Sequence, residues 1–224
     1  MGFLRKTLYT IVGLPTLALS AEYFYTIKCV EVDHTDTLIK RCPLVARRVA
    51  ENKAKFDRFE RVVPIASLNV AGADVDEQSL ARRFAKQMWL SAAYAPQRVI
   101  FEKIFKDHQE PGANLTAEEL EKGKIKLGYD VSQHLYVSDI SGSYIQFEPK
   151  VPAGVDFEGP GGTVSVDVMR RGENIVFAIE SSSIGIPTTG PMSPGDRLQF
   201  ELHKIYARLL LENGVRRVLH GGGE

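Results

Sequence analysis

Signatures of known chemistry are what this chain lacks. No glycine-rich phosphate loop follows an apolar run, and no serine sits in a nucleophile elbow. The histidines, His34, His108, His134, His203 and His220, are scattered without metal-ligand spacing, so neither a metal nor a cofactor is expected. Net charge is lacking too: 28 basic residues balance 28 acidic ones, leaving no field to draw the chain to nucleic acid, and no nucleic-acid partner is expected. Cysteine is scarce. Cys29 and Cys42 cannot form a disulfide framework and have no Cys-x-x-Cys spacing, which leaves one bridge in an oxidising compartment or two inert thiols elsewhere.

What is present is enough apolar sequence for a core. With 224 residues, 44% of them hydrophobic, the chain has the size of one domain plus an appendage. The appendage is read as residues 1–33, the domain as 34–219 and the tail as 220–224. Arg5 and Lys6 precede an apolar run from Leu8 to Ala21, the pattern of a secretory signal. Apolar character resumes at Tyr23 and brings the stretch near the ~20 residues that cross a bilayer, the pattern of an uncleaved anchor. Pro15 and Glu22 interrupt it, which fits an amphipathic helix lying on the domain. The first two readings predict membrane association or the secretory pathway.

Residues 34 to 61 are dense in charge of mixed sign and read as a solvated connecting helix, followed by a short extended run at Val62 to Ile65 whose proline places it at a sheet edge. Asp74, with Glu77 three residues on, predicts a capped helix carrying Leu80, Phe84, Met88 and Ala92 on one face. Pro96 breaks it and a second helix continues from Gln97. Val131 to Ser138 alternates with period two and predicts a strand. Tyr144 to Glu148 supplies its hairpin partner across Ser141-Gly142-Ser143. A second hairpin is read from Val164 to Ser182 across Arg171-Gly172-Glu173. Ser193-Pro194-Gly195-Asp196 then opens a helix running to about Leu219, with Leu198, Leu202, Ile205 and Leu209 expected to face the core and Asn213-Gly214 as its weak point.

Helices segregated from hairpins give an α+β fold: an antiparallel curved sheet with N-terminal helices and a long C-terminal helix, enclosing a cavity. The order resembles helix-grip small-molecule-binding folds and, less closely, cone-shaped cyclase folds. Phe59-Glu-Arg-Val-Val-Pro64, Tyr94-Ala-Pro-Gln-Arg98 and the terminal helix around His203 to Tyr206 resemble small uncharacterised fungal proteins, some associated with secondary-metabolite biosynthesis, over residues 56 to 219. That resemblance implies a compartmented small-molecule role and transfers no catalytic residue.

Three side chains are candidates for chemistry. His134 shares a strand face with Ser132 and Tyr136, either lining the cavity as an acid or base or lying on the wet side of the sheet. Asp167 falls near Glu180 across the second hairpin, either as a carboxylate pair with split proton affinities or as two solvated acids. His203, on the terminal helix with Tyr206, is the third. Trp89, Tyr94 and Arg98 surround the helix break, where an aromatic wall and a guanidinium suit a carbonyl-bearing or anionic ligand. Two functions follow: a cofactor-free cyclase or isomerase of a polyketide- or terpenoid-like molecule using general acid–base catalysis, or a non-catalytic binding or carrier protein for an apolar small molecule or lipid.

Overall fold

A computed structural model describes residues 25–32, 41–68, 75–104, 120, 124–132, 135–150 and 162–220. The chain is α+β. Its strands are β1 (Cys29–Glu31), β2 (Ala54–Pro64), β3 (Asp130–Ser132), β4 (Leu135–Ser141), β5 (Tyr144–Pro149), β6 (Val164–Arg171) and β7 (Asn174–Ile184). They form one curved, open sheet in the order β1-β2-β7-β6-β5-β4-β3, with every neighbouring pair antiparallel. The helices are α1 (Pro43–Ala50), α2 (Glu77–Trp89), α3 (Ala95–Ile104) and the long α4 (Pro194–Leu219).

The register assigns the two faces of the sheet. Phe59 pairs with Ile179 and Val63 with Ile175; Val166 pairs with both Ile179 and Ile145, and Val137 with Phe147. Directly opposed residues share a face, so these side chains make one apolar surface, and α2 and α4 cover it. Phe84 of α2 meets Phe177 edge-on at 5.2 Å, and Trp89 meets Phe147 at 5.1 Å. Each such fully buried side chain contributes about 1.5–3 kcal/mol of transfer free energy. The two helices also press on each other. A Cβ on Gly214 of α4 would come within 2.7 Å of the Phe84 ring, so only glycine lets α4 approach α2 this closely.

Both hairpin turns read from the sequence are present, with Gly142 and Gly172 at φ 60, a region that glycine enters freely. Ser193 caps α4 in a reciprocal box with Asp196. Other readings are corrected. The charged stretch up to Arg61 is no long helix: α1 ends at Ala50, and β2 takes in all of 54–64, because its charges are matched on both faces of the sheet. Pro64 therefore ends a strand that is paired on both sides rather than lying on a short edge strand. Asp76, not Asp74, caps α2, accepting from the Gln78 and Ser79 amides; Asp74 lies outside the described residues. The helix stops at Trp89, which leaves Ala92 exposed, and Pro96 sits in the first turn of α3, where its missing N–H costs nothing. The run 131–138 is two strands, since Ser132 pairs back onto Leu135. On α4 the expected face is displaced: Leu198 and Leu202 are 62% and 54% exposed, while Phe200, Ala207, Leu211, Gly214, Val215 and Val218 are buried. Gly214 is a packing contact rather than a weak point.

The boundary drawn at residue 33 falls after the first strand, since Cys29–Glu31 already pairs with β2. Among the described residues no helix is long and apolar enough to cross a membrane, and the apolar run 8–21 lies outside them. Cys29 and Cys42 are free, buried and on opposite faces: Cys29 meets Glu212 of α4, and Cys42 meets Glu148 and Thr163 beyond the sheet.

Candidate functional site

Asp57 and Ser181 are direct partners in the β2–β7 register, so both side chains rise on the helix-covered face. The capping box fixes where α4 begins, and Phe200 anchors its first turns; His203 follows on the next turn. The Ser181 hydroxyl donates to Asp57 Oδ1 at 2.6 Å and lies 2.9 Å from His203 Nε2. His203 Nε2 is also 3.6 Å from Asp57 Oδ2. The Asp57 side chain is fully enclosed, whereas that of His203 keeps 24% of its exposure. Lys204 pairs with Glu31 at 2.6 Å, and the Lys55 and Lys204 ammoniums lie 5.2 and 5.1 Å from the centre of the Phe200 ring.

A serine hydroxyl carries one proton. Because Ser181 spends it on Asp57, the imidazole must be the donor in the second bond, and neutral His203 carries its proton on Nε2. This arrangement differs from a nucleophilic triad, in which the carboxylate holds Nδ1 and the serine donates to Nε2. Ser181 is therefore a relay and not a nucleophile. Once Nδ1 has taken up a proton, shifting both protons one step, from Nε2 to Oγ and from Oγ to Oδ1, turns the ionised acid into a neutral one and returns the imidazole to its neutral form with the proton on Nδ1. Burial supports that shift at both ends. It pushes the Asp57 carboxyl above its usual range, against the pull of His203, Ser181 and Lys204. It also pushes the His203 imidazole below its usual value, against the pull of Asp57. Among the described residues Nδ1 of His203 makes no hydrogen bond, so it is the nitrogen left for a reacting molecule.

Along the same face of α4, one turn on, comes Tyr206. By it lies Tyr94, in the turn between α2 and α3. Trp89 and Tyr94 meet edge-on at 4.8 Å, and burial, with the Tyr94 phenol beside it, raises the proton affinity of the Tyr206 hydroxyl. Arg98 closes the turn, donating to the Trp89 carbonyl at 2.7 Å with its guanidinium 5.4 Å above the Tyr94 ring. Arg98 thus braces the wall rather than presenting a free cation. Trp89 Nε1, Ser91 Oγ and the Tyr206 hydroxyl are enclosed and have no hydrogen-bond partner among the described residues.

The remaining candidates lie on the other face of the sheet. Glu180 pairs with Ser165, one register step from Asp167, so the two acids are diagonal neighbours as expected. Arg58 stands 3.7 Å from each of them and also binds Glu60 at 3.2 Å. Asp167 further accepts from Ser143, and Arg171 grips Glu60 at 2.8 Å. This is a network of paired charges that cements strands, with no acid left to act alone. Tyr136 opposes Glu148 there, turned away from α2 and α4, and burial raises the proton affinity of its phenol. His134 lies outside the described residues.

Asp57, Ser181 and Ser91 were missed in the sequence. Asp57 was masked by the charge around it, although Phe59 and Val63 continue its alternation. Ser181 sits in a Ser-Ser-Ser run with nothing to single it out. No protein-family model, curated protein or solved structure matches this chain.

Proposed function

We propose that this protein is a cofactor-free isomerase or cyclase of a polyketide- or terpenoid-like small molecule, with His203 as the group that moves the proton. The observation that carries it is the largely buried imidazole, its side chain 24% exposed, tied through Ser181 to an enclosed carboxylate. Nδ1 of neutral His203 takes a proton from the carbon beside a substrate carbonyl, whose electron pair becomes an enolate. The Nε2 proton passes to Ser181 and the Ser181 proton to Asp57, so no imidazolium is left beside the enolate. Reversal delivers the proton to another carbon of the enolate; where the enolate carbon instead attacks a second carbonyl carbon of the same molecule and closes a ring, that carbonyl's π pair moves to its oxygen and the returned proton goes to the resulting alkoxide. Burial keeps the imidazole neutral, which a base needs near neutral pH.

The test is exchange of α-protons of 2-tetralone in deuterated water, followed by NMR. The protein should accelerate exchange, and His203→Gln should cut the acceleration by ~10²–10⁴, the usual worth of general acid–base catalysis. Asp57→Asn should lower it less, since the imidazole can still accept at Nδ1. Full acceleration by His203→Gln overturns the assignment. Tight binding of such ketones with no acceleration leaves the carrier as the function.

A further inference from the structure

We infer that Trp89, Ser91 and Tyr206 form a recognition site for the carbonyl oxygen of a planar, largely apolar ring compound, an inference that rests on the small-molecule reading above. Trp89 is 1% and Ser91 2% exposed, yet their polar atoms have no hydrogen-bond partner among the described residues, and neither does the Tyr206 hydroxyl. Buried polar groups are nearly always hydrogen-bonded, because leaving one unpaired forfeits the hydration it gave up. Trp89 and Ser91 stand two residues apart where α2 ends, and Tyr206 lies by Tyr94 of the same turn, so this end of the core asks for a complement. An indole N–H can only donate, while the two hydroxyls donate or accept, so that complement must be an acceptor. The walls supply the rest of the description. Trp89, Tyr94 and Phe147 meet edge-on at 4.8 and 5.1 Å and favour a flat ring over a flexible chain. Tyr206 and His203 are one helical turn apart on α4, so an oxygen held by Tyr206 places the adjacent carbon toward the imidazole, and the same donors would stabilise the enolate.

Calorimetric titration with 2-acetylnaphthalene and with 2-isopropenylnaphthalene, its carbonyl-free isostere, tests this. Trp89 is the only tryptophan, so its emission gives a second readout at the site itself. The ketone should bind at least about ten-fold more tightly and shift the Trp89 emission. Tyr206→Phe and Ser91→Ala should each lower that preference by about two- to ten-fold, the worth of one hydrogen bond. Both substitutions remove an unpartnered hydroxyl, so neither should lower the melting temperature. Equal affinity for the two compounds, binding of neither, or an unchanged preference in both variants overturns the inference. The two proposals fail separately: lost proton exchange with the ketone preference intact removes only the chemistry, and a lost preference with exchange intact removes only this site.

Discussion

Asp57 and His203 respond to burial in opposite directions, and the pH dependence of stability follows from that. The folded chain holds the His203 imidazole neutral at a pH where the unfolded chain, titrating near the ordinary value of about 6.5, has bound a proton. The stability tied to His203 is therefore full above about pH 6.5 and is lost as pH falls through that window. Asp57 has the opposite sign. Its carboxyl stays protonated in the fold after the unfolded chain has ionised near 4, so its contribution falls as pH rises from there. Lys204 and Glu31 are the other charges that act on Asp57, in opposing directions. Between pH 5 and 7, urea midpoints should thus rise for the native chain relative to His203→Gln, and a constant difference would mean that the imidazole is not desolvated. His203 was legible as a candidate because histidines are few. The partners that give it meaning were not, since an aspartate in a charged run looks the same whether it is solvated or enclosed.

Elements were legible wherever a local rule decides them. Ser193 and Asp196 form their box, and Gly142 and Gly172 turn their hairpins, because these depend on a few adjacent residues. The charged β2 was not legible, since what reverses its helical appearance lies in other strands: Arg58 answers Glu60, Asp167 and Glu180 on one face, and Arg61 answers Glu212 on the other. The face of α4 was misjudged because exposed leucines at 198 and 202 share the spacing of a core stripe. Leu202→Ala should accordingly change stability by less than about 0.5 kcal/mol, as surface substitutions do. Gly214→Ala should do the reverse of what helix propensity suggests. Alanine gains about 1 kcal/mol as a helix former, but its methyl would meet Phe84 and Met88, and overpacking costs about 1–3 kcal/mol. A higher melting temperature for this variant would show that α2 and α4 part easily.

Across the whole molecule, Glu212 fastens the N-terminal and C-terminal parts together. Its carboxylate reaches Arg61 of β2 at 3.0 Å, Arg216 of α4 at 2.7 Å and the Cys29 thiol of β1 at 3.5 Å, while Asn213 beside it meets Tyr25. Glu212→Ala should cost ~3–5 kcal/mol, read in denaturant titration, because it strands the largely buried Arg61. A loss under about 1 kcal/mol would mean that water reaches this pair. The β2–β7 seam has a temporal consequence as well. Ser181 bonds to Asp57 across 124 residues of chain, and the strands between them cannot seat β2. During synthesis β2, with only β1 available on one side, must therefore wait with its other edge unpaired until β7 has left the ribosome. Its alternating acids and bases, which hid it as a strand, are what would keep that waiting segment from sticking to its neighbours.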